Sequence, residues 1–170
     1  MENKVLVTYA SRTGSTIGVA EMIGKTLTER GLPVEVLPMQ AIKSLNPYRA
    51  VVAGSAIQGG QWLPEAMSFV RTYQKDLQRK PFAPFLVCMT LAMANGKYRD
   101  HVATWLDPVS TLVRPVKEGL FAGSLDISKI PSFPDRIKFR ISVLMGVWAE
   151  GDHRDWNAIR NWAASLTSLL

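Results

Sequence analysis

Two periods alternate along the chain. Val5-Leu6-Val7-Thr8-Tyr9 is a short apolar, β-branched run, and after a polar loop Ile17, Ala20, Ile23 and Leu27 recur at helical spacing within 16–30. Gly31 stops that helix, and Leu32-Pro33 leads into a second strand, Val34-Glu35-Val36-Leu37, closed by Pro38. Ala50-Val51-Val52-Ala53-Gly54 predicts a third strand, followed by a glycine-bearing loop and a helix over 64–78 with Pro64 in its first turn. A fourth strand is predicted over 84–90 and a fifth over 116–122. The last stretch, 153–169, sets Trp156, Ile159, Trp162, Ala163, Leu166 and Leu169 on one stripe, so its tryptophans read as core of a helix packed on the sheet. Strands that alternate with helices and are apolar throughout belong in a parallel sheet covered on both faces. With no internal repeat, low-complexity tract or dividing linker, the expectation is one three-layer α/β domain over residues 1–170.

Composition narrows the classes. An apolar content of 47 % excludes disorder, and the lone Cys88 excludes both a disulfide scaffold and a cysteine-built metal site. Its place inside a buried strand makes Cys88 an inert thiol, and the isolated His101 and His153 lack the spacing of metal ligands. The start of the chain shows no secretory pattern and no apolar run reaches about 18 residues, so a cytoplasmic protein is expected. The net charge of +6 admits nucleic acid, an anionic membrane surface or an acidic small molecule as partner. Nucleic acid is set aside, because no recognition helix, finger spacing or sheet-surface aromatic signature is present.

In an open parallel sheet, ligands bind beyond the carboxyl ends of the strands, which directs attention to the loops after strands one, three and four. The first, Ser11-Arg12-Thr13-Gly14-Ser15-Thr16, carries hydroxyls at four of six positions, a glycine for the turn, and the free amides of a helix start. A terminal phosphate suits it better than a simple helix cap, which needs one hydroxyl. Competing motifs fail on spacing. The loop lacks the glycines of a dinucleotide fingerprint, and Gly24-Lys25-Thr26 has Val19 where a P-loop needs its first glycine. Ser55 has Ala53 and Ile57 where a hydrolase elbow needs glycines.

The Ser-x-Thr-Gly-Ser-Thr loop resembles the FMN phosphate loop of flavodoxins, and 54–62 and 90–96 resemble that family's second and third loops. Within the superfamily the chain looks similar to the menaquinone-dependent protoporphyrinogen oxidase branch. The Gly54-Ser55-Ala56-Ile57 start of the second loop, the interrupted C-terminal third, and Asp152-His153-Arg154-Asp155-Trp156 carry that likeness. The resemblance implies a flavodoxin-like sandwich with five parallel strands in the order 2-1-3-4-5 and an insertion before the last helix. It implies FMN as cofactor, with Ser11, Arg12, Thr13, Gly14, Ser15 and Thr16 on its phosphate. Ala56, Ile57, Gln58, Gly59, Gly60, Gln61 and Trp62 would lie along the ring, and Thr90, Leu91, Ala92, Met93, Ala94, Asn95 and Gly96 would close its other side. Trp62 is read either as the stacking group or as an anchor for the following helix.

The segment 128–151 is too long for a plain connection. It mixes Lys129, Arg136, Lys138 and Arg140 with Phe133, Ile137, Phe139, Ile141, Leu144 and Trp148, and its pattern fits strand and helix alike; the resemblance favours helix. Such a segment would bring a basic, apolar surface to the flavin, suited to an anionic or apolar substrate, a quinone, or a peripheral membrane contact. Electron-carrier flavodoxins are typically acidic and meet basic partners by charge complementarity, a role that a chain at +6 fits poorly. The expected function is an FMN-dependent oxidoreductase passing electrons to a quinone or other acceptor. A carrier meeting a redox partner protein, or a flavin-free binding module, is the alternative.

Overall fold

The computed structural model describes residues 3–93 and 97–170. In chain order, β1 (Lys4–Ala10) runs through a short loop into α1 (Ser15–Glu29), then β2 (Val34–Pro38) and β3 (Tyr48–Gln58). A short β4 (Gln61–Trp62) precedes α2 (Pro64–Thr72), α3 (Gln74–Leu77) and β5 (Phe82–Cys88). After α4 (Arg99–Ala103) and α5 (Asp107–Leu112) come β6 (Gly119–Ala122) and β7 (Ser124–Leu125). The chain closes with α6 (Phe133–Leu144), β8 (Gly151–Asp152) and α7 (Trp156–Leu166).

The central sheet has the order β2-β1-β3-β5-β6 with parallel neighbours throughout, which is the order 2-1-3-4-5 of the five long strands. Its strands are apolar at successive positions because each face has its own helical layer. Leu6, Val51, Phe82 and Leu86 face Ala66, Phe69, Val70, Leu106 and Val109 of the α2 and α5 side. Val5, Val7, Val52 and Phe85 face Val19, Ile23 and Leu27 of α1 and Ile159, Ala163 and Leu166 of α7. Trp156 and Trp162 pack against this second layer as core, while Leu169 at the end of the stripe stays exposed.

Three features differ from the pattern reading, and a fourth settles a segment that the pattern left open between strand and helix. β3 runs on to Gln58 and turns back through β4, so the start of the second loop is a hairpin. The predicted 64–78 helix breaks at Tyr73 into α2 and α3. α4 and α5, too short to show a helical period, were not anticipated. The 128–151 segment is helical over α6, where Ser132 accepts the Asp135 amide as N-cap and Pro134 stands in the first turn. Among the described residues, no helix is long and apolar enough to cross a membrane.

Candidate functional site

A cavity of about 600 Å³ opens at the carboxyl ends of the strands. Its floor is the loop between β1 and α1. Gly14, the residue before α1, has φ +93°, a left-handed turn that glycine adopts without strain. Its amide donates to Ser11 Oγ at 3.1 Å, so Ser11 shapes the loop from behind and is not part of the cavity wall. Gly14 offers α1 no side-chain cap, which leaves the first amides of the helix without an intrahelical acceptor.

Thr13, Ser15 and Thr16 line the cavity. Thr16 is fully buried and its Oγ1 has no hydrogen-bond partner. Ser15 Oγ accepts the Ser124 amide at 2.9 Å, so its own proton remains to be donated. An orphaned hydroxyl, an oriented hydroxyl and uncapped helix amides together form a cradle for a tetrahedral anion. Arg12 behaves differently from the other loop residues. Its guanidinium is committed to a bidentate pair with Glu65 in the first turn of α2, with Nη2 to Oε2 at 2.9 Å. The pair raises the Arg12 pKa and holds the Glu65 carboxyl below its usual range. Arg12 lines the cavity as well, but its guanidinium straps the β1–α1 loop to α2.

The second wall comes from the β3–β4 hairpin. Gly59 and Gly60, at φ +60° and +74°, form the two-residue turn that pairs Ile57 with Trp62 and Gln58 with Gln61. Ala56, Ile57, Gln58, Gly59 and Gly60 line the cavity, whereas Gln61 and Trp62 do not. Trp62 is 4 % exposed and packs in the core, because the register fixed by the tight turn aims it inward. Of its two readings, the anchor for α2 stands and the stacking group does not.

Among the described residues of the third loop, only Thr90 reaches this cavity. Leu91 and Ala92 line a separate pocket of about 320 Å³ with His153 and Arg99, and Met93 lines neither. Ala94, Asn95 and Gly96 lie outside the described residues. Cys88 forms part of the wall, and burial pushes its thiol above the ordinary range, so it is a neutral group there. His101 stacks edge-on against Trp105, and His153 Nε2 lies 2.8 Å from the Ala149 carbonyl.

One aromatic wall, Trp105 after α4, escaped the sequence reading, while Phe139 and Trp148 come from the insertion that it expected to lie near the site. Gly123 and Ser124 also line the cavity, at the carboxyl end of β6. Applying the strand-end rule to the fifth strand as well as to the other three would have found them.

The insertion is clipped over the β1–α1 loop by a closed ring of contacts. β7 pairs antiparallel with β8, setting Ser124 opposite Asp152. The Asp152 carboxylate accepts Arg154 Nε and Nη2, each at 2.8 Å, and Arg154 Nη1 reaches the Ser15 carbonyl at 3.3 Å. The guanidinium also sits 4.5 Å above the Trp156 ring. Hydrogen bonds from Arg154 hold the Asp152 carboxyl below its ordinary range. Since the folded form has the lower pKa, the pair stabilises the protein above the unfolded carboxylate range and loses that effect as pH falls on through the lowered folded pKa. Arg154→Leu is expected to lower the melting temperature by about 2–4 °C at neutral pH, the scale of about 1 kcal/mol in a chain this size. Melts carried in steps to acid below the titration of Asp152, followed by its carboxyl NMR shift, should bring variant and wild type together; a gap that persists once Asp152 is protonated would assign the loss to the Trp156 packing instead.

A family model described as a flavodoxin domain matches residues 6–154. The chain belongs to the flavodoxin family. Solved flavodoxins share its fold at low identity. A flavodoxin from the domain Archaea is 17 % identical with a TM-score of 0.57, covering 97 % of this chain and 96 % of its own. The Streptococcus pneumonia TIGR4 flavodoxin is 15 % identical with a TM-score of 0.60, at 98 % and 99 % coverage. Two-electron reduced Megasphaera elsdenii flavodoxin is 14 % identical with a TM-score of 0.57, at 95 % and 98 % coverage. The match to the flavodoxin domain thus ends at Arg154, the residue that closes the ring over the β1–α1 loop.

Proposed function

We propose that this flavodoxin-family chain binds FMN in the 600 Å³ cavity and acts as an oxidoreductase on an apolar, anionic substrate, with a quinone or similar acceptor receiving the electrons. The observation that carries the reading is the roof. The cavity continues from the phosphate loop beneath α6 and the segment after it, where Phe139 and Trp148 offer aromatic faces and Lys138 a cation. A carrier would use the floor and walls of this cavity for its flavin, whereas the basic, aromatic roof suits a substrate.

Thr13, Ser15, Thr16 and the first amides of α1 would hold the phosphate, with the helix dipole favouring its charge. The Gly59-Gly60 turn would bring backbone groups to the ring edge, and Trp105 would supply an apolar surface nearby. When bound, FMN supplies two-electron redox chemistry, accepting a hydride equivalent from the reduced substrate and delivering it onward. The protein's part is to orient the two partners, exclude water with Phe139 and Trp148, and offset substrate carboxylates with Lys138.

Among reactions of this class, the oxidation of protoporphyrinogen matches an apolar ring bearing carboxylates. The FMN-loaded protein should turn it over with a menaquinone analogue. Reduction by a flavodoxin reductase without any such turnover would favour the carrier, a reading supported by the likeness to flavodoxins along nearly the whole chain.

A further inference from the structure

α6 has two unlike faces. Phe139 and Val143, with Trp148 beyond the helix, pack on Leu125, Ile127 and Ile130 in a small cluster of their own. The opposite side has no cover. At 100° per residue, Phe133, Ile137, Ile141 and Leu144 fall within about 80° of arc. They are 70 %, 45 %, 51 % and 87 % exposed, and Met145 just past the helix is 74 % exposed. Among the described residues, nine large apolar side chains are exposed and six of them lie in 133–147, so the exposure is a patch and not scatter.

Cations border the stripe. Arg140 lies about 20° beyond one edge and Lys138 about 60° beyond the other. Both residues are exposed, and neither has an acidic partner among the described residues. An apolar stripe between unpaired cations is the pattern of a helix lying in a lipid interface, its apolar side among the acyl chains and its cations at the head groups. A second copy of the chain suits this face less well, since it would bring the same cations and another +6 of net charge against it.

We infer that the outer face of α6 seats this protein on an anionic phospholipid surface, with Leu144 and Met145 as the deepest contacts. The seating is independent of what fills the cavity. If FMN binds there, the inner side of the same helix, through Phe139, sets the cavity against the bilayer, from which an apolar quinone could enter.

Co-sedimentation of the full chain with vesicles tests the inference. Vesicles of phosphatidylglycerol and phosphatidylcholine in equal parts should carry the protein down, phosphatidylcholine alone should not, and added salt should release it. The double variant Leu144→Asp/Met145→Asp should bind at least about tenfold more weakly, and Arg140→Glu by about the same factor. All three positions are solvent-exposed, so melting temperatures should hold. Absence of binding to the anionic vesicles, or variants that bind like wild type, would overturn the inference. So would a dimer in sedimentation velocity that the double variant dissolves.

Discussion

Thr13→Asp is expected to weaken FMN binding by roughly a thousandfold while leaving the melting temperature of the ligand-free protein in place. Thr13 lines the cavity floor beside the uncapped start of α1, half-buried and away from the packed core. A carboxylate about 4 Å from a phosphate costs on the order of 4 kcal/mol per pair of unit charges at the effective dielectric of a protein surface, which is about three decades in affinity. Thr13→Ala, which removes one hydroxyl without adding charge, should cost only about tenfold. The contrast between the two variants, read by quenching of flavin fluorescence, separates lost contact from repulsion. Equal losses for both would place the phosphate elsewhere.

The second large effect concerns the frame that holds the site. Phe85 lies between two glycines in register, Gly54 on β3 and Gly119 on β6. A Cβ added at Gly54 would sit 2.0 Å from the Phe85 ring, and that ring is held in place by Phe121 and Trp162 at centroid distances of 6.0 and 6.1 Å. Gly54→Ala should therefore destabilise the fold by about 3 kcal/mol, the upper end of the usual cost of overpacking. Trimming the neighbour should restore room, so Gly54→Ala/Phe85→Leu is expected to be more stable than Gly54→Ala alone. Strict additivity of the two changes in urea unfolding would show that the clash is not what limits the site. The same glycine ends the apolar run Ala50–Gly54, two residues before the cavity wall begins at Ala56.

The parts of this site that depend on local chemistry were legible in the chain. The hydroxyl-rich loop, the glycine before α1 and the unbroken apolar strands each follow from a few neighbouring residues, and they sufficed to place the cavity floor. Gly59-Gly60 between Gln58 and Gln61 is itself a two-residue hairpin signal, and reading it so would have turned Trp62 inward at once. For α6, Ser132 with Pro134 two residues on marks a helix start, a signal passed over in favour of the ambiguous period of the segment itself. What could not be read is what rests on distant partners. Arg12 finds Glu65 across 53 positions, and Arg154 finds the Ser15 carbonyl across 139. No spacing rule anticipates such contacts, because they form only once α2 and the β7–β8 clip have been brought over the loop. Trp105 and Trp148 belong to the same class: side chains that become walls only through the packing of their elements.

The central claim is that the β1–α1 loop is a phosphate site for a flavin, and parallel titrations of the purified protein with FMN and with riboflavin test it most directly. The two ligands share the ring and differ by the phosphate. One FMN should bind per chain, and riboflavin at least about a hundredfold more weakly, since it forfeits the charge-assisted hydrogen bonds of the loop. Riboflavin binding as tightly as FMN, or no uptake of either flavin, would contradict the account.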